Sequence, residues 1–311
     1  MIKEAGIEST NDAEMEKQFP SSVDFMLLGT CNLKCNFCFG PNHEIPAMRT
    51  DLAVDVIDKL SRNGVESIVF TGGEPTLIKD LPVILYAAKR RNLTTVLSTN
   101  GLTLASKEEL LDEIAPHLDW IALPLEADTP EVNADMRVGF TPDAGIKHFE
   151  AVLGLIPRIR ERYPDLKIKL GTVVAQPNLD RVAGIPDLLA SRCAIPDTWK
   201  LYQVSPSEYG KLNYSNLQIS DEEFERVYEE ARARAIQTGI PNVQKYTNEE
   251  RPGKYLFINP RGDALTVHPD TSDYFLIGNV LTGFNDVAKK WKSHINTQAL
   301  TANFGRTYPQ N

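Results

Sequence analysis

The sequence predicts an α/β protein, a partial (β/α)6 barrel followed by a small C-terminal α+β extension that caps it. Three observations support this fold. Six short apolar runs recur between residues 23 and 204, amphipathic stretches separate them, and this rhythm stops after residue 204. Strands that alternate with helices form parallel βαβ units. Because six units are two fewer than a closed TIM barrel contains, we expect an open, TIM-like barrel.

Each predicted strand is a run of apolar and β-branched residues, the composition that favours a buried strand. The six strands cover residues 23–28, 67–70, 94–97, 119–123, 167–174 and 199–204. Amphipathic patterns predict helices between them, beginning near residues 50, 80, 106, 143 and 180. Thr50 is predicted to cap the first helix and Gly64 to end it, and Ser106 with Glu109 is predicted to form a capping box.

The pattern after residue 204 predicts a different architecture. Residues 205–217 read as a loop, and Ser220 with Glu223 predicts a capping box that opens a charged helix. A polar loop over 242–253, a hairpin around the turn at 260–263 and a last helix over 285–295 complete the chain. We therefore expect three parts: an N-terminal tail (1–20), the barrel core (21–217) and an extension covering the barrel mouth (218–311).

Composition limits the function classes. The 311 residues carry 33 basic and 42 acidic side chains, which gives a net charge of −9. Such a charge disfavours nucleic-acid polymers and anionic membranes, since both bind through Lys and Arg. No apolar run approaches the ~18 residues of a membrane span, and the polar first twenty residues lack the apolar core of a secretory signal. We therefore expect a cytoplasmic globular protein.

Three of the four cysteines lie within eight residues, directly after the first predicted strand. Cys31, Cys35 and Cys38 have the spacing C-x3-C-x2-C, which in a reducing compartment indicates a metal-binding or catalytic cluster and not disulfides. Zinc in a structural site takes four protein ligands, and His43 is the local candidate for a fourth. A four-iron cluster held by three thiolates leaves one iron open to another ligand. On spacing alone, iron–sulfur, zinc and coincidence all stay open.

A second motif follows the second predicted strand. Thr71-Gly72-Gly73-Glu74-Pro75 is a glycine turn with an acidic residue, and Phe37 precedes the third cysteine. Together with the cysteine spacing, these features resemble the radical SAM superfamily. The resemblance implies one 4Fe-4S cluster and S-adenosylmethionine (SAM) as cofactors. It also implies that the Gly72-Gly73-Glu74 loop holds the methionyl amino group, with Glu74 facing the ammonium.

Other residues that follow predicted strands resemble further SAM-binding positions of this family. The resemblance places Ser98 and Asn100 near the ribose and carboxylate of SAM. It implies that Glu126 accepts hydrogen bonds from ribose hydroxyls and that Arg137 pairs with the methionine carboxylate. The end of strand six, Gln203-Val204, matches the adenine contact. The alternative for each residue is a cap, a turn or a surface ion pair.

The resemblance also implies a mechanism and a partner. In the family, a reduced cluster cleaves SAM to a 5′-deoxyadenosyl radical, which abstracts hydrogen from a substrate carbon. The electron comes from a donor such as a flavodoxin or ferredoxin. Residues 255–269 and Gly278-Asn279 resemble the opening of the SPASM/twitch extension, which carries auxiliary clusters in relatives. Each such cluster needs about four thiolates, and only Cys193 remains, so we expect a cluster-free remnant in which His268 is a loop residue.

The sequence says less about the substrate. The leading hypothesis is a small polar metabolite, a sugar, nucleoside or nucleotide, that undergoes dehydration, dehydrogenation, epimerisation or rearrangement. Residues 199–203 and the cysteine loop have some viperin-like features, those of nucleotide dehydratases. Lys169, Lys200 and Lys211 are candidates for phosphate binding, although strand alternation slightly favours outward positions for the first two. The alternatives are modification of a ribosomal peptide and, in a different class, a zinc-stapled binding protein.

Hydrogen return to the substrate radical is a separate question. In some epimerising relatives a cysteine performs it, which makes Cys193 a candidate hydrogen donor. The alternative is that Cys193 packs as a small hydrophobic residue. Tyr202 and Tyr209 are further candidate donors or plain packing residues.

Overall fold

The computed structural model describes residues 19–39, 45–206, 208–251, 256–268 and 274–294. Within these ranges one sheet of ten strands runs through the molecule in the order β10-β9-β8-β1-β2-β3-β4-β5-β6-β7. Strands β1 to β8 pair in parallel, and β9 and β10 are antiparallel. The strands are β1 (Ser22–Met26), β2 (Ser67–Thr71), β3 (Thr94–Ser98), β4 (Trp120–Pro124), β5 (Lys167–Val174), β6 (Thr198–Gln203), β7 (Val243–Tyr246), β8 (Phe257–Ile258), β9 (Asp263–Val267) and β10 (Tyr274–Asn279).

Helices connect the parallel strands, as the alternating pattern predicted. They are α1 (Thr50–Arg62), α2 (Leu81–Lys89), α3 (Leu102–Ser106), α4 (Glu108–Ile114), α5 (Pro130–Met136), α6 (Ala144–Arg162), α7 (Ile185–Ser191), α8 (Tyr214–Leu217), α9 (Asp221–Thr238) and α10 (Phe284–His294). Short 3-10 segments lie at Pro75–Leu77, Ala115–His117, Gln176–Asn178, Val182–Gly184 and Glu208–Asn213. The α/β class and the TIM-like partial barrel are therefore confirmed. None of the helices in the described ranges is long and apolar enough to cross a bilayer.

Strand β5 shows how the sequence builds the two faces of the sheet. Ile168 and Leu170 are fully buried in the core shared with the helices, while Lys169 and Gly171 line a cavity on the inner face. Lys200 also faces inward, because its Nζ lies 4.7 Å from the centre of the Tyr246 ring. The outward placement favoured for Lys169 and Lys200 is thus wrong. In a barrel the helices cover the outside, so the apolar residues of each strand point outward.

The region after β6 differs from the prediction in two places. Residues 208–217, predicted as loop, form a 3-10 segment and the short helix α8. Residues 243–246, predicted as part of a polar loop, form β7, which pairs with β6 in the register Tyr202↔Tyr246. Strand β7 lies at an edge of the sheet and has only two apolar residues, so it lacks the apolar run by which the other strands were recognised.

The predicted caps have mixed outcomes. Ser220 and Glu223 form the predicted capping box of α9, with bonds of 3.1 and 2.7 Å. Gly64 adopts a φ of 85° just after α1, which fits a helix end. Thr50 does not cap α1, since its hydroxyl donates to Asp80 at 2.8 Å and Arg49 occupies the N-cap.

The predicted Ser106–Glu109 capping box is absent from the described helices α3 and α4. Instead Ser106 ends α3, and its hydroxyl donates to the carbonyl oxygens of Leu102 and Thr103. An extra turn of helix, not visible as a separate amphipathic pattern, therefore uses the hydroxyl that would have capped the next helix.

The C-terminal strands continue the barrel sheet at its other side. The predicted hairpin is present as β8 and β9, and β8 pairs in parallel with β1. Strand β10, which contains Gly278-Asn279, adds to β9, so β10 and β7 are the two edge strands. Helix α10 ends at His294, and its predicted last residue, 295, lies outside the described residues, as do residues 1–18 of the predicted tail. The three-part division of the chain stays a prediction.

Candidate active site

A cavity of about 290 Å³ opens inside the curved sheet. Its walls come from the inner faces and carboxyl ends of the strands, the place where barrel enzymes assemble their active sites. Nine of the ten described strands, all except β9, contribute residues to it, and the two edge strands β7 and β10 are among them, which shows that the sheet curls around the cavity. Of the predicted site residues, those lining it are Cys31, Cys35, Phe37, Cys38, Gly72, Gly73, Glu74, Ser98, Asn100, Glu126, Arg137 and Gln203.

The three clustered cysteines lie on one loop that follows β1. Backbone bonds fix the loop: Lys34 N–H donates to the Val138 carbonyl at 2.6 Å, and Leu33 bridges to Gly139. Gly210 N–H donates to the Cys38 carbonyl at 2.9 Å, so the segment after β6 that was predicted as a loop fixes the C-terminal end of the cysteine loop. His43, the candidate fourth zinc ligand, lies outside the described residues.

Burial favours the protonated form of Cys31 and Cys35 when no metal is bound. It raises the pKa of Cys31 to about 11 and that of Cys35 to about 12. Thiolate is the form that ligates a metal, so cluster binding must release protons here. In the described part of the chain no three Cys, His, Asp or Glu side chains already form a metal site. Three soft thiolate donors on one cavity wall nevertheless have the donor chemistry of an iron–sulfur site.

The glycine turn after β2 packs directly on the cysteine loop. Gly72 has a φ of 143°, and a Cβ on Gly73 would overlap the carbonyl oxygens of Gly29 and Thr30. Gly73 N–H donates to the Leu28 carbonyl at 2.7 Å, and Glu74 N–H donates to the Thr30 carbonyl at 2.9 Å. The glycines are therefore required for the contact between the two loops, whatever ligand they also approach.

The Glu74 carboxylate ties the β2 and β3 loops together. It is 1% exposed, and burial raises its pKa despite four hydrogen bonds. Thr76 donates to Oε1 through both its N–H and its hydroxyl, Thr99 donates to Oε1 at 2.6 Å, and Asn100 N–H donates to Oε2 at 2.7 Å. Both oxygens thus have protein partners, and the predicted contact with an ammonium stays a prediction.

The β3 loop places its polar side chains beside the cysteine loop. Asn100 Nδ2 donates to Asn32 Oδ1 at 2.7 Å and lies 3.9 Å from Cys31 Sγ. Asn100 Oδ1 accepts the N–H of Leu102, the first residue of α3, at 3.0 Å. Ser98 lines the cavity at the end of β3. The structure therefore brings Ser98 and Asn100 to the site, and their SAM contacts stay predictions.

Glu126 and Arg137 form a buried ion pair with each other. Arg137 donates to Glu126 Oε1 through Nε at 2.8 Å and Nη2 at 2.6 Å. Val173 N–H donates to the other oxygen at 2.7 Å. Glu126 is fully buried and the Arg137 side chain is 14% exposed, so the pair has little solvent screening. Burial raises the pKa of Glu126, and the nearby Arg137 cation opposes this shift.

Arg137 links this ion pair to the cysteine loop. Its Nη1 lies 3.5 Å from Cys35 Sγ, and its guanidinium carbon lies 5.3 Å from the centre of the Phe37 ring. A hydrogen bond and a positive charge at a cysteine sulfur stabilise the thiolate. The resemblance assigned Glu126 and Arg137 to separate groups of SAM, whereas the structure places them in one network with the cysteines.

The end of β6 is anchored to the loop after β7. Gln203 Nε2 donates to Asp221 at 2.6 Å, and its Oε1 accepts the N–H of Asn248 at 3.0 Å. Asn248 Nδ2 donates to the Val204 carbonyl at 2.9 Å. Val204 is buried in a cluster with Cys35 and Phe37 instead of lining the cavity. The adenine contact predicted for Gln203-Val204 stays a prediction.

Sequence reasoning missed the side chains that hold the site loops. Asn133 Oδ1 accepts the N–H of Glu126 at 3.1 Å, and Asn178 Nδ2 donates to the Glu126 carbonyl at 2.7 Å. Thr76 and Thr99 hold Glu74 in the same way. Asn133 and Asn178 lie outside the motifs, whereas Thr99 lies between Ser98 and Asn100 and Thr76 directly follows the glycine turn. Nothing in the sequence spacing indicates that these side chains bond to Glu74 and Glu126, so their roles were missed.

The remaining candidates lie at different places. Tyr202 lines the cavity, whereas the side chain of Tyr209 is not among those that the structure describes. His268 lies against Phe275, with 5.6 Å between ring centres, and not in the cavity wall. Cys193 is exposed and has a φ of 52° in the turn before β6, at the amino-terminal edge of the sheet. It is neither packed as a hydrophobic residue nor near the carboxyl ends, so this placement argues against a hydrogen-donor role.

We expect Cys193→Ser to retain full turnover, within about twofold of the parent, because the side chain is outside the cavity. Product formation and 5′-deoxyadenosine formation are measured together on the reconstituted protein. Loss of product while 5′-deoxyadenosine persists would restore Cys193 as the hydrogen donor.

Comparison with known proteins identifies one domain of the chain. The family described as the radical SAM superfamily matches residues 26–177, which contain the cysteine loop, the glycine turn and strands β2 to β5. The chain carries a radical SAM domain. The resemblance inferred from the motifs is confirmed, and the expected kinds of cofactor, a 4Fe-4S cluster and SAM, are those that radical SAM proteins use. That the chain holds a single cluster stays a prediction.

Several radical SAM relatives align over most of the chain. An "S-adenosylmethionine-dependent nucleotide dehydratase" of Lacinutrix mariniflava is 31% identical over 81% of this chain and 52% of the relative. A protein of the same name from Flammeovirga pacifica is 25% identical over 90% of this chain and 94% of the relative. A "PqqA peptide cyclase" of Xanthomonas campestris is 28% identical over 80% of this chain and 67% of the relative. The chain thus spans about half of the first relative and nearly all of the second.

A solved radical SAM structure confirms the fold. Streptococcus suis SuiB, in its crystal structure bound to S-adenosylmethionine, matches with a TM-score of 0.68 and 19% identity. The match covers 94% of this chain and 70% of SuiB. At this identity the likeness supports the partial-barrel fold alone.

Proposed function

We propose that this protein is a radical SAM enzyme acting on a nucleotide, most simply as a dehydratase. The observation that carries the proposal is the inward position of two lysines: Lys169 lines the cavity, and Lys200 is buried directly behind the cavity-lining rings of Tyr202 and Tyr246. Lys169 Nζ and Lys200 Nζ each lie 5.5 Å from the centre of the Tyr202 ring, on neighbouring strands. Cations in a partly enclosed space suit the phosphates of a nucleotide. The names of two aligned relatives support the same substrate class.

Different groups of residues would bind the cluster, SAM and the substrate. Cys31, Cys35 and Cys38 would hold the cluster, and the glycine turn with the β3 loop would hold SAM. When bound and reduced, these cofactors supply a 5′-deoxyadenosyl radical that abstracts hydrogen from the substrate. The curved sheet excludes bulk water and stray hydrogen donors from the cavity. Cations on β5 and β6 would bind the phosphates and so place the sugar toward the cysteine loop.

We also propose the supporting partners and the location. A flavodoxin or ferredoxin would supply the electron, because radical SAM proteins need a reductant. A cytosolic location suits a chain that depends on reduced thiols. Lys211 is exposed and outside the cavity wall, so it takes no part in phosphate binding in this proposal.

Peptide modification is the second candidate. The aligned PqqA peptide cyclase favours it. The two candidates differ in the role they give to the inward lysines. Nucleotide phosphates are anionic partners for Lys169 and Lys200, whereas a peptide backbone is uncharged.

The test is substrate-dependent SAM cleavage by the reconstituted enzyme. We expect a nucleotide triphosphate to stimulate 5′-deoxyadenosine formation and to yield a product lacking one water by mass spectrometry. Lys169→Met should raise the KM for the nucleotide ~10–100-fold, since a hydrogen bond to a charged group contributes ~1.5–3 kcal/mol. Lys211→Met is the matched control and should keep the parental KM. Stimulation by peptides but by no nucleotide would contradict the proposal.

A further inference from the structure

Arg251 is a cation of the cavity wall to which no motif assigns a role. It lies five residues after β7 and is only 7% exposed. Its Nη1 is buried and has no hydrogen-bond partner among the residues that the structure describes. Its Nη2 lies 3.5 Å from the Tyr274 hydroxyl. A guanidinium stays charged at any physiological pH and has five N–H donors, so the two donors of the buried Nη1 have no partner among the described residues.

Hydrogen bonds fix the backbone that carries Arg251. The Arg251 N–H donates to the Asn248 carbonyl at 3.3 Å, and Asn248 itself is bonded to Gln203 and Val204. Glu250, the preceding residue, accepts the Tyr246 hydroxyl through its carbonyl at 3.2 Å. Two independent anchors, to the end of β6 and to the end of β7, thus hold the backbone that carries Arg251.

Arg251 also lies at the seam of the open barrel. Its contact with Tyr274 runs from the loop after β7 to the first residue of β10, and β7 and β10 are the edge strands of the sheet. The guanidinium therefore faces the cavity from the gap where a closed barrel would have further strands. A ligand that reaches this gap from the cavity meets the Arg251 guanidinium, whose Nη1 has no partner in the described ranges.

The acidic groups of the cavity do not neutralise Arg251. Glu74 is bonded to Thr76, Thr99 and Asn100, and Glu126 is paired with Arg137. Asp24 also lines the cavity, but no ion pair joins it to Arg251 in the described ranges. Other cations lie nearby: Lys200 contacts the ring of Tyr246, the last residue of the strand that precedes Arg251. Cations thus follow the wall from β5 to the seam.

We propose that Arg251 binds an outer phosphate of the substrate, at the seam and beyond the lysines of β5 and β6. The inference rests on the proposed nucleotide function, and it adds a subsite that neither the motifs nor the lysines assign. Two features select a phosphate. The planar fork of Arg matches two phosphate oxygens at once, and the buried hydroxyl of Ser205, also without a partner in the described part, lines the same cavity as a further donor.

Binding to the reconstituted, SAM-loaded enzyme tests this subsite separately from turnover. Inorganic tripolyphosphate and a nucleoside triphosphate are titrated calorimetrically into the parent, Arg251→Met and Arg251→Lys. We expect Arg251→Met to weaken both affinities ~10–100-fold and Arg251→Lys to weaken them less, because a lysine keeps the charge but loses the fork. SAM affinity should stay within about twofold. Arg261→Met, which alters an exposed arginine in the C-terminal hairpin, is the matched control and should bind as the parent does.

The outcomes separate the two proposals. If the parent binds the nucleotide and Arg251→Met binds it equally well, the subsite is wrong while the nucleotide function stands. If the parent binds no phosphate compound, the nucleotide function fails and the subsite fails with it. Dependence on Arg251 for a peptide carboxylate but not for tripolyphosphate also overturns the phosphate assignment. Should Arg251→Met fold poorly, the loss of nucleotide affinity in well-folded Arg251→Lys still decides the question.

Discussion

Cys35→Ala is expected to abolish cluster assembly and all cleavage of SAM. Cys35 is the most buried of the three loop thiols, and its Sγ lies 3.5 Å from Arg137 Nη1 in the wall of the cavity. In the parent, three thiolates ligate three of the four irons. With only two thiolates, two irons lack a protein ligand, and we expect the cluster not to assemble. We expect the reconstituted parent to contain about four irons per chain, and the variant to contain almost none and to form no 5′-deoxyadenosine. Iron and sulfide analysis with product chromatography measures both.

The control for this experiment is Cys193→Ala, which removes the exposed thiol and should keep the full iron content. Retained 5′-deoxyadenosine formation in Cys35→Ala would contradict the assignment of the ligand. About eight irons in the parent would contradict a single cluster. A colourless parent that binds zinc would instead support the zinc-stapled alternative.

The parts of the fold that the sequence predicted are those with local signals. Strand β5 matches its predicted bounds because its apolar residues alternate, and the turn at Gly72-Gly73 follows β2 as its spacing required. Strand β7 was missed because an edge strand needs neither a long apolar run nor burial on both faces. Local periodicity carries no information on which edge a short polar segment will join.

The candidate site was predicted in its residues but not in its contacts. Glu74 and Glu126 were expected to face SAM, and each has protein partners on both oxygens. These partners come from distant loops, so the contacts depend on the folded sheet and not on spacing. The same reason hides Arg251, whose cavity is formed only when both edges of the sheet approach each other.

The ion pair of Glu126 and Arg137 gives the second large expected effect. Arg137→Gln removes the cation and leaves a carboxylate that is fully buried. Breaking one partner of a buried pair costs about 3–5 kcal/mol, because the remaining charge is left without compensation in a medium of low polarity. We therefore expect the free energy of unfolding of the metal-free protein to fall by about that amount, as measured by urea denaturation.

A double variant distinguishes the lost pair from lost packing. Glu126→Gln with Arg137→Gln removes both charges and lets two amides occupy the site, so it should be more stable than Arg137→Gln alone. Exposed pairs contribute only ~0–1 kcal/mol, and Arg226→Gln, which breaks an exposed pair with Glu230 on α9, is the matched control. The single variant Glu126→Gln is measured as well. If the stability losses of Glu126→Gln and Arg137→Gln simply add in the double variant, Glu126 and Arg137 do not stabilise the fold through each other. Arg137 would then be held at the cysteine loop by its contacts with Cys35 and Phe37 instead.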